Sequence, residues 1–404
     1  MTPLLIVFCI ILILGLIFFL PFKGAQSFIL GRPVQRIHEA DIVLSRRLLH
    51  PGTEAYESYY ENHPELRLTD DRSRKTPGLL SKHSQLYQSG TYAAGSANFE
   101  IIKFLRGITH GTAASKADPS GSFPGESGKL DPEKTARFIT RWLKRTGAHS
   151  VGFTPLQTYH LYSHKGRGED PGSPIFKKHE NAIALTVEME HRMMQSAPQG
   201  TAVMESSERY LQSGVLALKL AAWIRELGYE AIAHIDGKYE LICPLVAVDA
   251  GLGTIGRMGL LMTPRLGPRV RISVVTTNMP VSFSQCQPDR TTLHFCHHCK
   301  KCASVCPSAA ISAGHREFID GAERWKMNSE KCYHYWTTSG TDCGRCLAAC
   351  PYSHPDNLFH RFIRWGIKNN LLFRHLAIKL DDLFYGRKPA IRPLPGWVDI
   401  RDKE

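Results

Sequence analysis

Acidic residues are scarce in this chain of 404 residues: 37 Asp and Glu stand against 50 Lys and Arg, a formal net charge of +13. The surplus favours anionic partners such as phospholipid headgroups, nucleic acid or a phosphate-bearing cofactor. No long Lys/Arg run gathers it, so an ordinary solvated basic surface accounts for it equally. Long apolar runs are also missing, with one exception: residues 4–22 are almost entirely apolar and uncharged. A segment of that length can cross a bilayer as a helix. No basic residue precedes it, which argues against a cleaved signal peptide, and no twin-arginine export signal precedes it either. Lys23, Arg32 and Arg36 follow it, so the positive-inside rule leaves the body in the cytoplasm. The expectation is a single-pass anchor in the inner membrane with a cytoplasmic body. At 43% hydrophobic and 22% charged, that body has a real core, in one large or two ordinary domains.

Eight of the eleven cysteines fall between residues 296 and 350. They read Cys296-x2-Cys299-x2-Cys302-x3-Cys306-Pro307, then Cys332, then Cys343-x2-Cys346-x3-Cys350-Pro351. This is the spacing of a chain that holds two 4Fe–4S cubanes. Each cubane needs four thiolates. The x2 spacing lets neighbouring thiolates converge on one cube, and a cysteine before proline is carried away to serve the other. Cys296, Cys299, Cys302 and Cys350 are therefore assigned to one cluster, and Cys306, Cys332, Cys343 and Cys346 to the other. Zinc sites also use C-x2-C pairs, but they need four ligands, not eight. Disulfides need an oxidising compartment and seldom bunch this way. The gap from Cys332 to Cys343 departs from the compact bacterial spacing. Cys9, Cys243 and Cys286 lie outside the motifs and read as small apolar residues.

Residues 24–110 show no motif; Arg46, Arg47, Tyr56, Tyr59 and Tyr60 read as ordinary surface and packing residues. Residues 111–129 are rich in Gly, Ser, Ala and Pro and mark a loop or linker. Asp131-Pro132-Glu133 starts a helix, with Phe138, Ile139, Trp142 and Leu143 as its apolar stripe and Gly147 as its end. Residues 150–154, 182–187, 240–245 and 269–276 read as strands, the last with Arg269 and Arg271 on one face. A long helix is expected over residues 208–227, stopped by Gly228. Strands alternating with helices make an α/β layer. Residues 359–384 form a basic amphipathic helix that either lies on a membrane or packs on the core.

Iron–sulfur clusters pass single electrons and do no organic chemistry, so a catalytic cofactor is implied. Gly251-Leu252-Gly253-Thr254-Ile255-Gly256 meets the G-x-G-x-x-G spacing, but the acidic residue expected about twenty residues later is absent. The loop reads equally as a close approach to a bulky cofactor or as a tight turn.

The block from Ala250 to Pro264, with Gly267-Pro268-Arg269-Val270-Arg271, Asn278-Met279-Pro280 and the Cys296 motif, resembles the catalytic subunit of corrinoid-dependent reductive dehalogenases. So do Ile224-Arg225-Glu226-Leu227-Gly228-Tyr229 and the ending Trp397-Val398-Asp399. The resemblance covers roughly residues 130–400. It implies a nitroreductase-like α/β core holding a base-off cobamide (cobalamin), a ferredoxin-like module with two 4Fe–4S clusters, and cleavage of a carbon–halogen bond. A tyrosine delivers the proton, assisted by Lys or Arg. The tyrosine matches Tyr210, the cation Arg269 or Arg271. Gly251, Leu252, Gly253, Gly256 and Arg257 match the cobamide loop. A ferredoxin, flavodoxin or quinol-linked reductase would donate electrons to reduce an organohalide. Respiratory members carry a twin-arginine signal; the bare apolar run here fits a cytoplasm-facing, membrane-bound catabolic enzyme better.

Two rivals remain. Epoxyqueuosine reductase shares the corrinoid core and both clusters, but its proton donor is an Asp in an Asp-Tyr-His context. Tyr210 is flanked by Arg209 and Leu211, and a membrane anchor suits a tRNA-modifying enzyme poorly, so nucleic acid is not the expected partner. A membrane-anchored electron carrier would need only the cysteine block. The expected division is an anchor (1–23), an N-terminal region and linker (24–130), a cobamide core (131–285), the cluster module (286–356) and a C-terminal helix and tail packing on the core (357–404).

Overall fold

A computed structural model describes residues 20–24, 31–111, 130–168, 170–285 and 289–400, with Leu5 and Gly15. The N-terminal part is helical: α1 (Glu54–Asn62), α2 (Pro64–Arg74) and α3 (Ser89–Arg106). Helix α4 (Pro132–Arg145) leads to strands β1 (Ser150–Pro155) and β2 (Asn181–Glu188), then the long α5 (Gly200–Glu226) and β3 (Ala231–His234). Next come α6 (Cys243–Asp249), the short hairpin β4 (Thr254–Ile255) and β5 (Leu261–Met262), and β6 (Val270–Thr277). The cysteine-rich part carries α7 (Arg290–Cys299), α8 (Lys301–Val305), β7 (Glu317–Ile319), β8 (Ala322–Arg324), α9 (Ser329–Ser339) and α10 (Arg345–Ala348). Helices α11 (Leu358–Asn369) and α12 (Leu371–Tyr385) follow.

The α/β layer is built on one sheet of order β1-β2-β6-β3, antiparallel at every pairing. Strand β2 is buried on both faces, and its side chains alternate in size. Ile183, Leu185 and Val187 pack into the core shared with α4 and α5, while Ala182 and Ala184 meet the layer that holds α6. Strand β6 follows the same rule: Arg271, Ser273 and Val275 face α5, and Val270 and Val274 face α6. Helix α4 starts as its sequence dictates, with Asp131 Oδ1 accepting from Glu133 N at 2.9 Å and Lys134 N at 3.0 Å.

Several expectations are corrected. Residues 240–245 are not a strand. Leu241 makes only an isolated bridge to Leu161, and α6 starts at Cys243 with Pro244 in its first turn, where proline's missing N–H costs nothing. The remaining strand of the sheet is β3. Helix α5 starts eight residues earlier than expected, at Gly200 rather than Glu208. The polar run Glu205-Ser206-Ser207 hid this turn, because those side chains are buried. The expected single helix over residues 359–384 breaks at Asn370, whose extended backbone (φ −132°) and side chain cap α12 through Phe373 N.

Residues 31–111 belong to the same body. Helix α3 packs along α5, and the buried Arg46–Asp70 pair (2.8 Å) also reaches Glu330 on α9. Leu80 N and Leu86 N donate to Gly340 O and Ser339 O. The apolar run at residues 4–22 and the linker at 112–129 lie outside the described residues, apart from Leu5, Gly15 and residues 20–22. Cys9 and Cys286 lie outside them too. Among the described residues no helix is long and apolar enough to cross a membrane.

Leu185→Ala removes a fully buried side chain from the middle of β2. Loss of transfer energy plus a residual cavity should lower stability by about 2–5 kcal/mol. Thermal or denaturant unfolding checks this; an unchanged midpoint would place Leu185 outside the cooperative core.

Candidate functional site: two thiol groups and a buried tyrosine–arginine pair

The eight motif cysteines are free thiols drawn into two groups. Cys350 lies against Cys296, Cys299 and Cys302. Cys306, Cys332, Cys343 and Cys346 face one another, and Cys346 also faces Cys302, so the groups adjoin. Local backbone explains the convergence. Lys300 takes a left-handed conformation (φ 54°) that separates α7 from α8 and folds Cys299 and Cys302 toward one point. Cys343 (φ 59°) and Gly344 (φ 69°) make the equivalent turn in the second motif.

Burial pushes thiols of both groups up, to about 12 for Cys299, Cys302 and Cys343 and about 11 for Cys332. Such thiols become thiolates only when a metal displaces the proton. Two groups of four sulfurs, soft donors throughout, fit iron–sulfur chemistry.

Arg257 is fully buried beside the first group. Its guanidinium donates to the carbonyl oxygens of Cys296 (3.0 Å), His297 (3.2 Å), Ser312 (2.7 Å) and Gly314 (2.9 Å) and stacks on Trp325 at 4.7 Å. It therefore holds the cysteine loop. Within the glycine loop, Leu252 packs in the core near α6, and Gly251 turns the chain at φ 77°. Gly253 and Gly256 sit hard against Met262; a Cβ at Gly256 would come within 2.6 Å of Met262 Cγ and 3.7 Å of Cys296 Sγ. The glycines thus let β4–β5 lie directly over the first thiol group.

A cavity of about 580 Å³ opens beside this hairpin. Ile242, Leu245, Val248, Ile255, Trp325 and Met327 form its apolar wall, and Arg32, Arg316, Arg324 and Lys326 also line it.

Tyr210 and Arg271 meet on the α5 face of the sheet. The guanidinium lies 4.7 Å from the centre of the phenol ring. It donates to Ser206 Oγ, one turn before Tyr210, and pairs with Asp342 Oδ2 at 3.0 Å. Asp342 immediately precedes Cys343, so one ion pair joins the sheet to the second thiol group. Both residues keep partial exposure within a deeply enclosed site. Burial pushes the Tyr210 phenol up to about 12 although Arg271 pulls it down; Asp236 and Tyr239, also facing it, add to the rise. Asp342 is raised by burial against the pull of Arg271. Asp342 Oδ1 is buried with no hydrogen-bond partner among the described residues, which suits a further polar group in this space.

Arg269 does not join this pair. It lies just before β6 and is fully buried, donating to Ser353 O and Met189 O and pairing with Glu188 at 2.7 Å. Sequence reasoning overlooked Ser206 and Asp342. Their signals were present: Ser206 lies four residues before Tyr210, and Asp342 abuts a motif cysteine.

A 4Fe–4S dicluster domain family matches residues 295–354. Tetrachloroethene reductive dehalogenase of Sulfurospirillum multivorans is 37% identical over 224 residues, 52% of this chain and 43% of the relative. The catabolic reductive dehalogenase NpRdhA superposes with a TM-score of 0.71 at 22% identity, over 90% of this chain and 49% of that one. The chain is similar to the reductive dehalogenases over about half its length. It spans less than half the length of each of these two proteins. Epoxyqueuosine reductase of Listeria monocytogenes is 27% identical over a shorter stretch of 129 residues. The superposition shows the fold, and the dicluster match covers every motif cysteine.

Arg257→Lys keeps the charge but cannot reach four carbonyls. It should leave buried acceptors unpaired and loosen the Cys296 loop, at a cost of about 1–3 kcal/mol. Iron release to a chelator measures this: release should be faster than from the unaltered protein, and an equal rate would show that the clamp does not hold the loop.

Proposed function

We propose that this chain is a reductive dehalogenase-like oxidoreductase, with two 4Fe–4S clusters and a base-off cobamide. It would replace a carbon–halogen bond by carbon–hydrogen, consuming two electrons and one proton and releasing halide. The observation that carries this reading is the Tyr210–Arg271–Asp342 arrangement, one residue from Cys343. It sets a protonated phenol beside a fixed cation and next to a cluster ligand.

A bound cobamide would supply a low-valent cobalt centre for the carbon–halogen bond. Thr254, Ile255 and Gly256, with Arg32 and Arg324, line the cavity beside β4–β5 that would hold this bulky, phosphate-bearing group; Arg32 also pairs with Asp249 and Arg324 with Asp320. The segment from Asp236 to Leu245 runs from the surroundings of Tyr210 to that cavity. Tyr210 holds the proton on its phenol oxygen. Arg271, kept charged above its ordinary range by Tyr210 and Asp342 against the opposing effect of burial, steadies the phenolate left after transfer. The same cation could accept a departing halide. A ferredoxin, flavodoxin or quinol-linked reductase would supply electrons. The epoxyqueuosine reductase reading lacks its acid: Arg209 and Leu211 flank Tyr210.

We also propose that residues 4–22 anchor the chain to the inner membrane with the body in the cytoplasm. Leu20 and Phe22 dock at the α11–α12 turn through Asn370 Nδ2 to Leu20 O (2.9 Å) and Leu371 N to Phe22 O (2.7 Å). Around that point Phe362, Trp365, Leu372 and Leu376 are exposed, and an apolar face of this kind beside Lys23 and Lys368 suits a lipid surface.

Tyr210→Phe should keep iron, sulfide and cobamide content while lowering turnover of an organohalide by about 10²–10⁴-fold. A donor must be protonated, so its contribution is lost as pH rises through its pKa. At about 12, Tyr210 produces no alkaline limb in the accessible range. Retained turnover, or a limb near neutrality that Tyr210→Phe abolishes, would contradict this assignment. For the anchor, the full chain should stay in the pellet after alkaline carbonate washing of membranes; release into the wash would remove it from the proposal.

A further inference from the structure

Helix α7 carries motif cysteines on one side and histidines on another. His294 and His298 are one helical turn apart, and His375 reaches them from α12. The ligand atoms of all three lie within 4.8 Å of one another. Ring centroids are 4.3 Å apart for His294–His298, 4.6 Å for His298–His375 and 5.6 Å for His294–His375. At roughly 100° per residue, Cys296 points nearly opposite to His294, so this group is separate from the thiols.

We propose that His294, His298 and His375 form a third metal site, for a borderline divalent cation of the zinc class. Imidazole suits such cations, and a pair at i, i+4 with a third ligand from a neighbouring helix is a usual way to build a three-nitrogen site. The orientation of His298 is already set. Its Nδ1 lies 2.9 Å from the carbonyl oxygen of His294. A carbonyl only accepts, so Nδ1 carries the proton and Nε2 presents its lone pair. A backbone acceptor behind a ligating ring is how such rings are held. Tetrahedral zinc at about 2.0–2.1 Å needs nitrogens roughly 3.3 Å apart. His298 and His375 are exposed and His294 is half-buried, so small rotations close the gap. Arg374 is a like charge nearby, and its Nε donates to Ile367 O at 2.9 Å. The fourth position is left to water.

The site joins α12 to α7. Helix α12 already meets the cluster segment through Asp381, which pairs with the buried Lys301 between Cys299 and Cys302 and with His354 at 2.7 Å. A metal on the histidines is a second tie between the same helix and the cysteine loop.

The test uses the full chain with its clusters intact, equilibrated anaerobically with Zn²⁺ alone, desalted, and analysed for zinc and iron. The expected result is about one zinc per chain at unchanged iron, with a nitrogen/oxygen shell at about 2.0 Å in zinc-edge absorption. His298→Ala and His375→Ala, both at exposed positions, should weaken zinc binding by more than about tenfold, while His315→Ala leaves it unchanged. Equal zinc retention in His375→Ala, a sulfur shell at about 2.3 Å, or zinc taken up only as iron is lost would each overturn the proposal.

Discussion

Thiols buried in a protein interior ionise only with help, and that constraint shapes the second half of this protein. Burial raises every motif thiol for which a shift is resolved, and repulsion from neighbouring thiols adds to it for all of these but Cys296. A cation must enter for the sulfurs to become ligands, and the thiolate-rich cluster that forms still carries negative charge. The protein meets that charge twice. Arg257 lies beside Cys296, Cys299 and Cys302, and Arg345 beside Cys343 and Cys346. Both guanidiniums also donate to backbone carbonyls, Arg345 to Pro389 O. Each cysteine group therefore has a buried guanidinium that is at once a counter-charge and a clamp.

The second dependency runs from the cysteine loop to the sheet. Asp342 is held by its place before Cys343, and Arg271 by its register on β6. Their ion pair fixes where the guanidinium can lie, and Tyr210 lies under it because α5 presents Ser206, Tyr210 and Ser213 toward β6. Ser273 Oγ to Ser213 Oγ, at 3.0 Å, holds the next turn in the same register. A shift of β6 by one residue would turn Arg271 to the α6 face and leave Asp342 buried without its partner. The geometry of the phenol is thus tied to correct assembly of the second thiol group, although Tyr210 and Cys343 lie 133 residues apart in the chain.

What the sequence made legible follows from the range of the forces involved. The thiol grouping could be read because the Cys-x2-Cys turns and the Cys-Pro steps are local geometry. Strand β2 could be read because burial on both faces leaves a continuous apolar run. Helix α4 was announced by Asp131 and Pro132. The first turns of α5 were not, because Glu205, Ser206 and Ser207 are polar in composition yet buried by tertiary contacts: Glu205 Oε1 accepts from Glu190 N at 2.6 Å. The choice between Arg269 and Arg271 was equally out of reach. Alternation put both on one face, but β6 begins only at Val270, so the bend before it sends Arg269 to Ser353 and Glu188. Long-range partners such as Asp342 for Arg271 leave no periodic trace.

The net charge of +13 does not all lie at the surface. Read as surface potential, it pointed to anionic partners. Yet Arg46, Arg257, Arg269, Arg345, Arg364, Arg374 and Lys301 are all buried. Several of these aim at carbonyl oxygens: Arg269 at Ser353, Arg364 at His354, Arg374 at Ile367. The reason lies in the architecture of the cluster segment. Its helices are short and its loops are long, so many carbonyls face inward without a helical or sheet donor. A guanidinium offers five N–H groups in a fixed plane and can satisfy several at once, as Arg257 does with four. Arg257 and Arg345 thus belong to a part of the basic surplus that lies inside, whereas Arg46, Arg269, Arg364 and Lys301 are offset by Asp70, Glu188, Asp356 and Asp381.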